Sequence, residues 1–248
     1  MIECPLAQAD PVRLCGVEWP PFTKVREGKI VGGLSFDIYQ EAFSRLGRGF
    51  VAYALPWPRC LRQVSEGNLD AVIDNDKLDP FIGGKHPTAV YPVAIYTRAD
   101  HPTMAFSYQA LEDKKVGMVR GYDYTPDIKQ KMTWKPRYAT DDQQLFRMLK
   151  AGRFDYVLAD IFSAEIHAAN AGLEVRRLEP VVDSTFLYLV FNARHAELVK
   201  QYDHVIGQMI EEGVLDKLYL RYLPFSYQQV LSLVNSDGKV SPEKQPDK

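Results

Sequence analysis

Two stretches of the chain share one order of hydrophobic and polar positions. Residues 61–74 read LRQVSEGNLDAVID, and residues 145–160 read LFRMLKAGRFDYVLAD. Each begins with apolar residues at helical spacing, passes through a glycine, and ends in an apolar run of the length of a buried strand that closes on an acid. The repetition predicts two similar α/β lobes. Because open α/β sheets bind ligands beyond the carboxyl ends of their strands, Asp74 and Asp160 are candidate site residues.

The pattern before and within the first repeat predicts a β-α-β-α-β unit. Apolar runs at 12–17, 50–55 and 70–74 have the length and composition of buried strands. The helix between the first two runs is predicted to have Ser35 as its N-cap and to end at Gly47, because serine and glycine are favoured at these two positions. A second helix follows the Pro-Trp-Pro turn after the second run.

A second unit follows the same scheme after residue 115. The run at 115–119 starts it, and the second repeat ends it. Between and after the two units, the extended apolar runs PVAIYTR and VVDSTFLYLVFN are candidate crossing strands. The predicted division is residues 10–94 with 190–230 for the first lobe, 99–184 for the second, 95–98 and 185–189 for two hinge strands, and 235–248 for a disordered tail.

Charge and hydrophobicity limit the classes of partner. The 30 basic and 32 acidic residues give a net charge of −2, and 46% of the residues are hydrophobic. Such a chain has enough apolar residues for hydrophobic cores, but its net charge is too small to attract nucleic acid or an anionic membrane. No apolar run approaches the roughly 20 residues of a spanning helix. We expect a soluble protein with a small solute as its partner and no nucleic acid.

The cysteines and the first residues bear on the compartment. Residues 7–9 read AQA, which matches the end of a secretory signal peptide or matches it by chance. A cut after Ala9 would remove Cys4 and leave Cys15 and Cys60, which form a possible disulfide in an oxidising compartment or remain buried free thiols. No histidine or cysteine pair has metal-ligand spacing, so no metal site is expected.

At this point the chain resembles a family, the type II periplasmic solute-binding proteins, and within it the extracellular family-3 group associated with amino-acid uptake. The resemblance rests on WPPFT at 19–23, GLSFDIYQEAFSRLG at 33–47, the Gly-x-x-Asp openings at 67–70 and 152–155, KKVGMVRGYDY at 114–124, and MIEEGVLDKLYLRYL at 209–223. It implies two Rossmann-like α/β lobes joined by two crossing strands, with a ligand cleft between them that closes on a small polar solute. It also implies a periplasmic monomer without a cofactor, which delivers its solute to the membrane permease of an ABC importer.

The resemblance also implies aromatic walls for the solute. Trp19 and Phe22 occupy the segment where family members place an aromatic residue, and Trp57 follows the second strand. Aromatic faces supply apolar contact and attract cationic groups. Core packing is the alternative for Trp19 and Phe22, and more so for Phe22. For Trp57 the alternative is that Pro-Trp-Pro only stiffens the turn.

In the second lobe the resemblance implies an ammonium site. Family members that bind amino acids hold the ammonium with an acid at the position of Asp160, although an aspartate there could instead cap the following helix. Arg120 and Tyr122 follow the strand at 115–119 at the predicted start of a helix. A guanidinium beside free backbone amides favours an anion such as a carboxylate.

The first lobe departs from the family pattern. Amino-acid binders carry an arginine after the third strand, where this chain reads DNDKLDPFIGGK. Lys77 or Lys85 could replace this arginine only as a point charge, because a lysine ammonium cannot bind both carboxylate oxygens as a guanidinium does. Asp74 and Asn75 could hydrogen-bond a polar solute, or Asp74 could cap the loop. Arg98, late in the first crossing strand, could reach the cleft or lie on the hinge surface.

Two other classes of function share this scaffold. One is the ligand-sensing periplasmic module of a signalling system. The other is an enzyme of the dehydratase type, for which Glu165 and His167 are the nearest candidate acid or base. Both fall inside a predicted helix beyond the strand end, so the sequence favours binding without catalysis.

Overall fold

The structure, a computed structural model, describes residues 10–122 and 124–232. The predicted signal-peptide end at 7–9, Cys4, and the predicted tail at 235–248 lie outside the described residues. Within the described part, the chain divides into two compact units. Unit 1 comprises residues 10–89 with Leu187–Tyr227, and unit 2 comprises Val90–Phe186 with 228–232. The lobe and hinge limits drawn from the sequence stay predictions.

Eleven strands and eight α-helices are named in chain order within the described residues. The strands are β1 (Val12–Gly16), β2 (Lys24–Arg26), β3 (Lys29–Gly32), β4 (Phe50–Ala54), β5 (Ala71–Asn75), β6 (Phe81–Gly83), β7 (Ala89–Arg98), β8 (Lys115–Val119), β9 (Lys135–Ala139), β10 (Tyr156–Asp160) and β11 (Val175–Asn192). The helices are α1 (Leu34–Arg45), α2 (Trp57–Ser65), α3 (Pro126–Lys131), α4 (Asp142–Lys150), α5 (Ala164–Asn170), α6 (Ala196–Glu211), α7 (Val214–Tyr222) and α8 (Tyr227–Ser232).

Unit 1 confirms the predicted β-α-β-α-β order. Strand β1 pairs in parallel with β4 on one side and β5 on the other, while α1 and α2 make the two crossovers. The antiparallel β2–β3 hairpin extends the sheet beyond β4, and β11 pairs antiparallel with β5. The carboxyl ends of β1, β4 and β5 therefore meet at one edge, where the fold places its ligand contacts.

The N-cap predicted for α1 is wrong. The cap residue is Gly33 with φ of 104°, and Ser35 is the second residue of the helix with a buried side chain. The backbone N–H groups of Leu34 and Ser35 donate to the carbonyl oxygens of Pro21 and Phe22 at 3.0 and 2.9 Å. These carbonyls satisfy helix donors that a serine side chain would otherwise bind.

Unit 2 is a smaller sheet with a helical layer on each face. Strand β8 pairs in parallel with β9 and β10, and β7 pairs antiparallel with β10. Alternate strand residues face opposite sides. One face packs against α3 and the segment before β8, and the other packs against α4 and α5. The predicted strand at 115–119 and the predicted second α/β unit are confirmed.

The aspartates of the two Gly-x-x-Asp openings have a structural function. Asp70, just before β5, accepts hydrogen bonds from the backbone and guanidinium of Arg13 at 2.9 and 3.1 Å and from the guanidinium of Arg194. Asp155, just before β10, accepts a bond of 2.7 Å from Arg98. The two aspartates therefore fix the amino ends of their strands, opposite the ends at which ligands bind.

No helix in the described part of the chain has the length and apolar character needed to cross a membrane.

Candidate functional site

The WPPFT segment places its two aromatic rings against each other in unit 1. The ring centroids of Trp19 and Phe22 are 3.9 Å apart with an interplanar angle of 11°. Thr23 fixes the turn, because its hydroxyl accepts from the Trp19 N–H at 2.8 Å and donates to the Val17 carbonyl. Phe22 is fully buried and Trp19 is 7% exposed. This geometry favours core packing for Phe22, and the role of Trp19 as a solute wall stays a prediction.

Trp57 packs beside a disulfide. Cys15 in β1 and Cys60 in α2 are joined across a sequence separation of 45 residues. Val64, Val72 and Val190 complete the buried cluster around this bond, and the half-buried Trp57 packs against it. The disulfide fixes α2, and with it Trp57, to the central strand of the unit 1 sheet.

Asp74 and Asn75 end β5, and both are buried. Asp74 has φ of 53° and accepts a 2.6 Å hydrogen bond from the Tyr39 hydroxyl, which also lies 3.3 Å from Thr88 Oγ1. Its Oδ2 has no hydrogen-bond partner among the described residues. Burial raises the pKa of Asp74 to about 6, against the opposing effects of the Ser35 and Tyr39 hydroxyls. A solute contact by Asp74 would therefore have to reach a carboxyl group enclosed by Tyr39 and Thr88.

The raised pKa of Asp74 predicts a pH-dependent stability. A carboxyl group with a pKa of about 6 when folded and 3.8 when unfolded destabilises the fold as pH rises through this window. We expect Asp74→Asn to be more stable than wild type at pH 7.5, by about 3 kcal/mol at most, and equally stable near pH 4. Urea unfolding at the two pH values measures this, and a difference that does not change with pH would contradict it.

Lys77, one of the two candidate replacements for the missing arginine, is exposed and contacts other residues of unit 1. Its Nζ donates to the Gly84 carbonyl at 3.0 Å and lies 4.1 Å from the ring centroid of Tyr188. The backbone N–H of Lys85, the other candidate, donates to Asp203 at 2.7 Å. The solute roles of both lysines stay predictions, and Lys77 would have to leave its ring and carbonyl contacts to bind a carboxylate.

Asp160 ends β10 in unit 2 and is 2% exposed. Its Oδ1 accepts from the Phe162 N–H at 3.0 Å, and its Oδ2 accepts from the N–H of Ser163 at 2.8 Å and from the Ser163 hydroxyl. Asp160 therefore fixes the turn that leads into α5, but it is not the N-cap of that helix, which is Ser163. The contact of Asp160 with an ammonium stays a prediction.

A second buried acid, which the sequence did not single out, lies with tyrosines near Asp160. Asp142, the first residue of α4, accepts a 2.6 Å hydrogen bond from the Tyr122 hydroxyl. The ring of Tyr91 stands edge-on to Tyr122 at 6.3 Å between centroids. Burial raises the pKa of Asp142 to about 6, and burial together with the charges of Asp142 and Asp160 raises the pKa of Tyr122 well above its usual value. The only signal in the sequence was the Asp141–Asp142 pair before an amphipathic helix.

The two arginines predicted for the site have different environments. Arg120 is exposed, with its guanidinium carbon 5.9 Å from the ring centroid of Tyr138, and no described carboxylate pairs with it. Arg98 binds Asp155 and the carbonyls of Leu149 and Phe154. Arg98 therefore lies at the amino end of β10 while Asp160 lies at the carboxyl end, which favours a structural function for Arg98.

Both residues that the sequence offered as a catalytic acid or base lie on α5. His167 is buried with its ring 6.4 Å from that of Phe146, and Glu165 is exposed in the first turn of α5. Among the described residues, no group of three or more His, Cys, Asp or Glu side chains could hold a metal ion.

The comparisons with known proteins rest on structure. No protein-family model and no curated protein matches the sequence. An arginine third transport system periplasmic binding protein from Legionella pneumophila superposes with a TM-score of 0.72 at 19% identity, covering 86% of this chain and 99% of that one. An ancestral arginine-binding protein bound to arginine gives 0.71 at 22% identity, with coverages of 86% and 97%.

A protein of another class has the same fold. A histidine kinase sensor domain with similarity to periplasmic binding proteins superposes with a TM-score of 0.76 at 16% identity, covering 87% of this chain and 97% of that one. Identities this low establish a shared fold and not a shared ligand. The chain therefore has the α/β fold of the type II periplasmic binding proteins, as the resemblance predicted.

Proposed function

We propose that this protein is a periplasmic solute-binding receptor of an ABC importer, which captures a small polar solute with an ammonium group, an amino acid or a related compound. The observation that carries the proposal is Asp160, a buried carboxylate at the carboxyl end of β10 whose charge, like that of Asp142, acts on the hydroxyl of Tyr122. Two neighbours in the comparison are themselves described as arginine-binding proteins, which supports this class of solute.

The chemistry of this corner of unit 2 suits a cation. A buried carboxylate is costly unless a positive group or hydrogen bonds compensate it, so a bound ammonium would lower the cost of ionising Asp142 and would add to the hydrogen bonds that already compensate Asp160. Tyrosine faces attract cations as well. Asp142 would become ionised more readily when a cation binds, because a nearby positive charge lowers a carboxyl pKa.

We further propose that the protein does not transform its solute, that it acts in the periplasm, and that its partner is the membrane permease of the importer. The neighbours are binding proteins, which supports the first point. Closure of the two units on the solute stays a prediction from the resemblance, as do the monomeric state and the exclusion of nucleic acid.

A thermal-shift screen of amino acids, polyamines, small carboxylates and sugars tests the proposal. A ligand at 100 times its Kd stabilises the folded state by about 2.7 kcal/mol. For a chain of this size, this should raise Tm by roughly 5–10 °C. We expect the hits to carry an ammonium group and to be recovered unchanged by mass spectrometry. If no ammonium compound raises Tm, or if the best hit is converted on incubation, the proposal fails.

A sensing role is the second candidate, because a kinase sensor domain has this fold. Crosslinking in the presence of the best hit distinguishes uptake from sensing. Capture of a membrane permease would indicate uptake, and capture of a histidine kinase would indicate sensing.

A further inference from the structure

Unit 2 contains a pocket of about 260 Å³ at the end of β8. Its apolar lining includes Met118 in β8, Tyr138 in β9, and Ile128 and Met132 in and just after α3. Val119, Tyr122 and Tyr124 line it as well. Two cationic side chains, Arg120 and Lys129, also line it, and none of the lining residues that the structure describes is acidic.

The strand register explains why these side chains meet. Met118 and Tyr138 are direct partners in the parallel pair β8–β9, so both side chains project from the same face of the sheet. Ile128 and Met132 are four residues apart and cover that face from α3. Tyr138 is 47% exposed on the strand that ends this sheet, so the pocket opens to solvent at an aromatic edge.

The charge of the pocket favours an anion. Arg120 lies over the Tyr138 ring, and no carboxylate among the described residues forms an ion pair with it. A guanidinium that lies near an aromatic ring without a carboxylate partner keeps its N–H donors available for bidentate binding of a carboxylate. The methionine side chains can adapt to ligands of different shape, because they are flexible and polarisable.

We propose that this pocket binds a small aromatic or apolar monocarboxylate, with the carboxylate on Arg120 and the apolar body between Met118, Met132 and Tyr138. The volume is slightly below the range of about 300–1,000 Å³ for drug-sized ligands, which fits a one-ring acid. The sequence predicted that Arg120 binds an anion. The pocket adds the cavity in which the anion would lie and the class of ligand that would carry it. It does not require the ammonium contact at Asp160, which does not line the pocket, so the two can fail separately.

Calorimetric titration with three matched probes tests the charge and the apolar body. Phenylacetate has both features, acetate lacks the ring, and 2-phenylethylamine replaces the carboxylate by an ammonium. We expect saturable binding of phenylacetate, at least about tenfold weaker binding of acetate, and no competition by 2-phenylethylamine. Absence of saturable phenylacetate binding up to ~10 mM, or equal affinity for acetate, would overturn the proposal.

Two arginine variants locate the site. Arg120→Gln should weaken phenylacetate binding at least about tenfold, because a charge-assisted hydrogen bond pair is lost. Arg137→Gln is the matched control. Arg137 precedes Tyr138 on β9, so it projects from the opposite face, and its guanidinium donates to the Pro136 carbonyl at 3.0 Å. Equal loss in the two variants, or no loss in either, would overturn the assignment to this pocket.

A third variant tests the aromatic wall. Tyr138→Ala removes an exposed ring and should weaken phenylacetate several-fold more than acetate. Far-ultraviolet circular dichroism and Tm identify any variant that fails to fold. If a folded Tyr138→Ala protein binds phenylacetate as tightly as wild type does, the ring does not contact the ligand and the proposal is wrong.

Discussion

Asp160→Asn is expected to weaken binding of the best ammonium solute by about 30- to 1,000-fold, because removing one partner of a buried charge pair costs about 2–4 kcal/mol. The carboxylate is 2% exposed, so little water screens its charge. Asparagine has nearly the same shape but only one acceptor oxygen, so it can keep the hydrogen bond from the Phe162 N–H or that from the Ser163 N–H and not both. Far-ultraviolet circular dichroism and Tm therefore have to show that the variant is folded. Isothermal titration calorimetry measures the change.

The matched control for this variant is Asp155→Asn. Asp155 precedes the same strand at its other end, where it pairs with Arg98 and is exposed to solvent. The Asp155→Asn substitution removes one negative charge from unit 2, as Asp160→Asn does, but it does not alter the carboxylate that we propose binds the ammonium. If Asp160→Asn binds the solute as tightly as wild type, or if Asp155→Asn weakens binding equally, Asp160 does not hold the ammonium.

Loss of the disulfide is expected to lower the free energy of unfolding by about 4 kcal/mol, from the chain entropy released when a loop of this length is opened. For a chain of this size, the corresponding fall in Tm is roughly 8–16 °C. Differential scanning calorimetry of wild type and of the double variant Cys15→Ala/Cys60→Ala measures it.

Dithiothreitol provides the control for the disulfide. The reductant should lower the Tm of wild type and leave the Tm of the double variant unchanged. A wild-type Tm that does not respond to reduction under unfolding conditions would show that Cys15 and Cys60 are not joined in the isolated protein.

The strands and helices could be predicted because each is indicated by the spacing of apolar residues within its own short segment of the chain. The strand at 115–119 has the predicted limits, since five consecutive residues with a glycine and no charge after Lys115 suit a buried strand. The N-cap of α1 could not be predicted. The groups that satisfy the helix donors are carbonyls of Pro21 and Phe22, more than ten residues earlier in the chain. No side chain signals that function.

The candidate site was only partly predictable, because residues at equivalent sequence positions have different surroundings. Asp74 and Asp160 close the two repeats, but Asp74 has a left-handed backbone and binds Tyr39, whereas Asp160 binds the turn before α5. Arg98 could be assigned only from its contact with Asp155. Asp142 was missed because an aspartate at a helix start is usually exposed, and its burial depends on Tyr122.

A crystal structure of the protein with the best hit of the thermal-shift screen shows directly whether Asp160 binds the ammonium group of the solute. We expect an unmodified small solute whose ammonium nitrogen lies about 3 Å from a carboxylate oxygen of Asp160. A solute bound with no contact to Asp160, or one found as a reaction product, would contradict it.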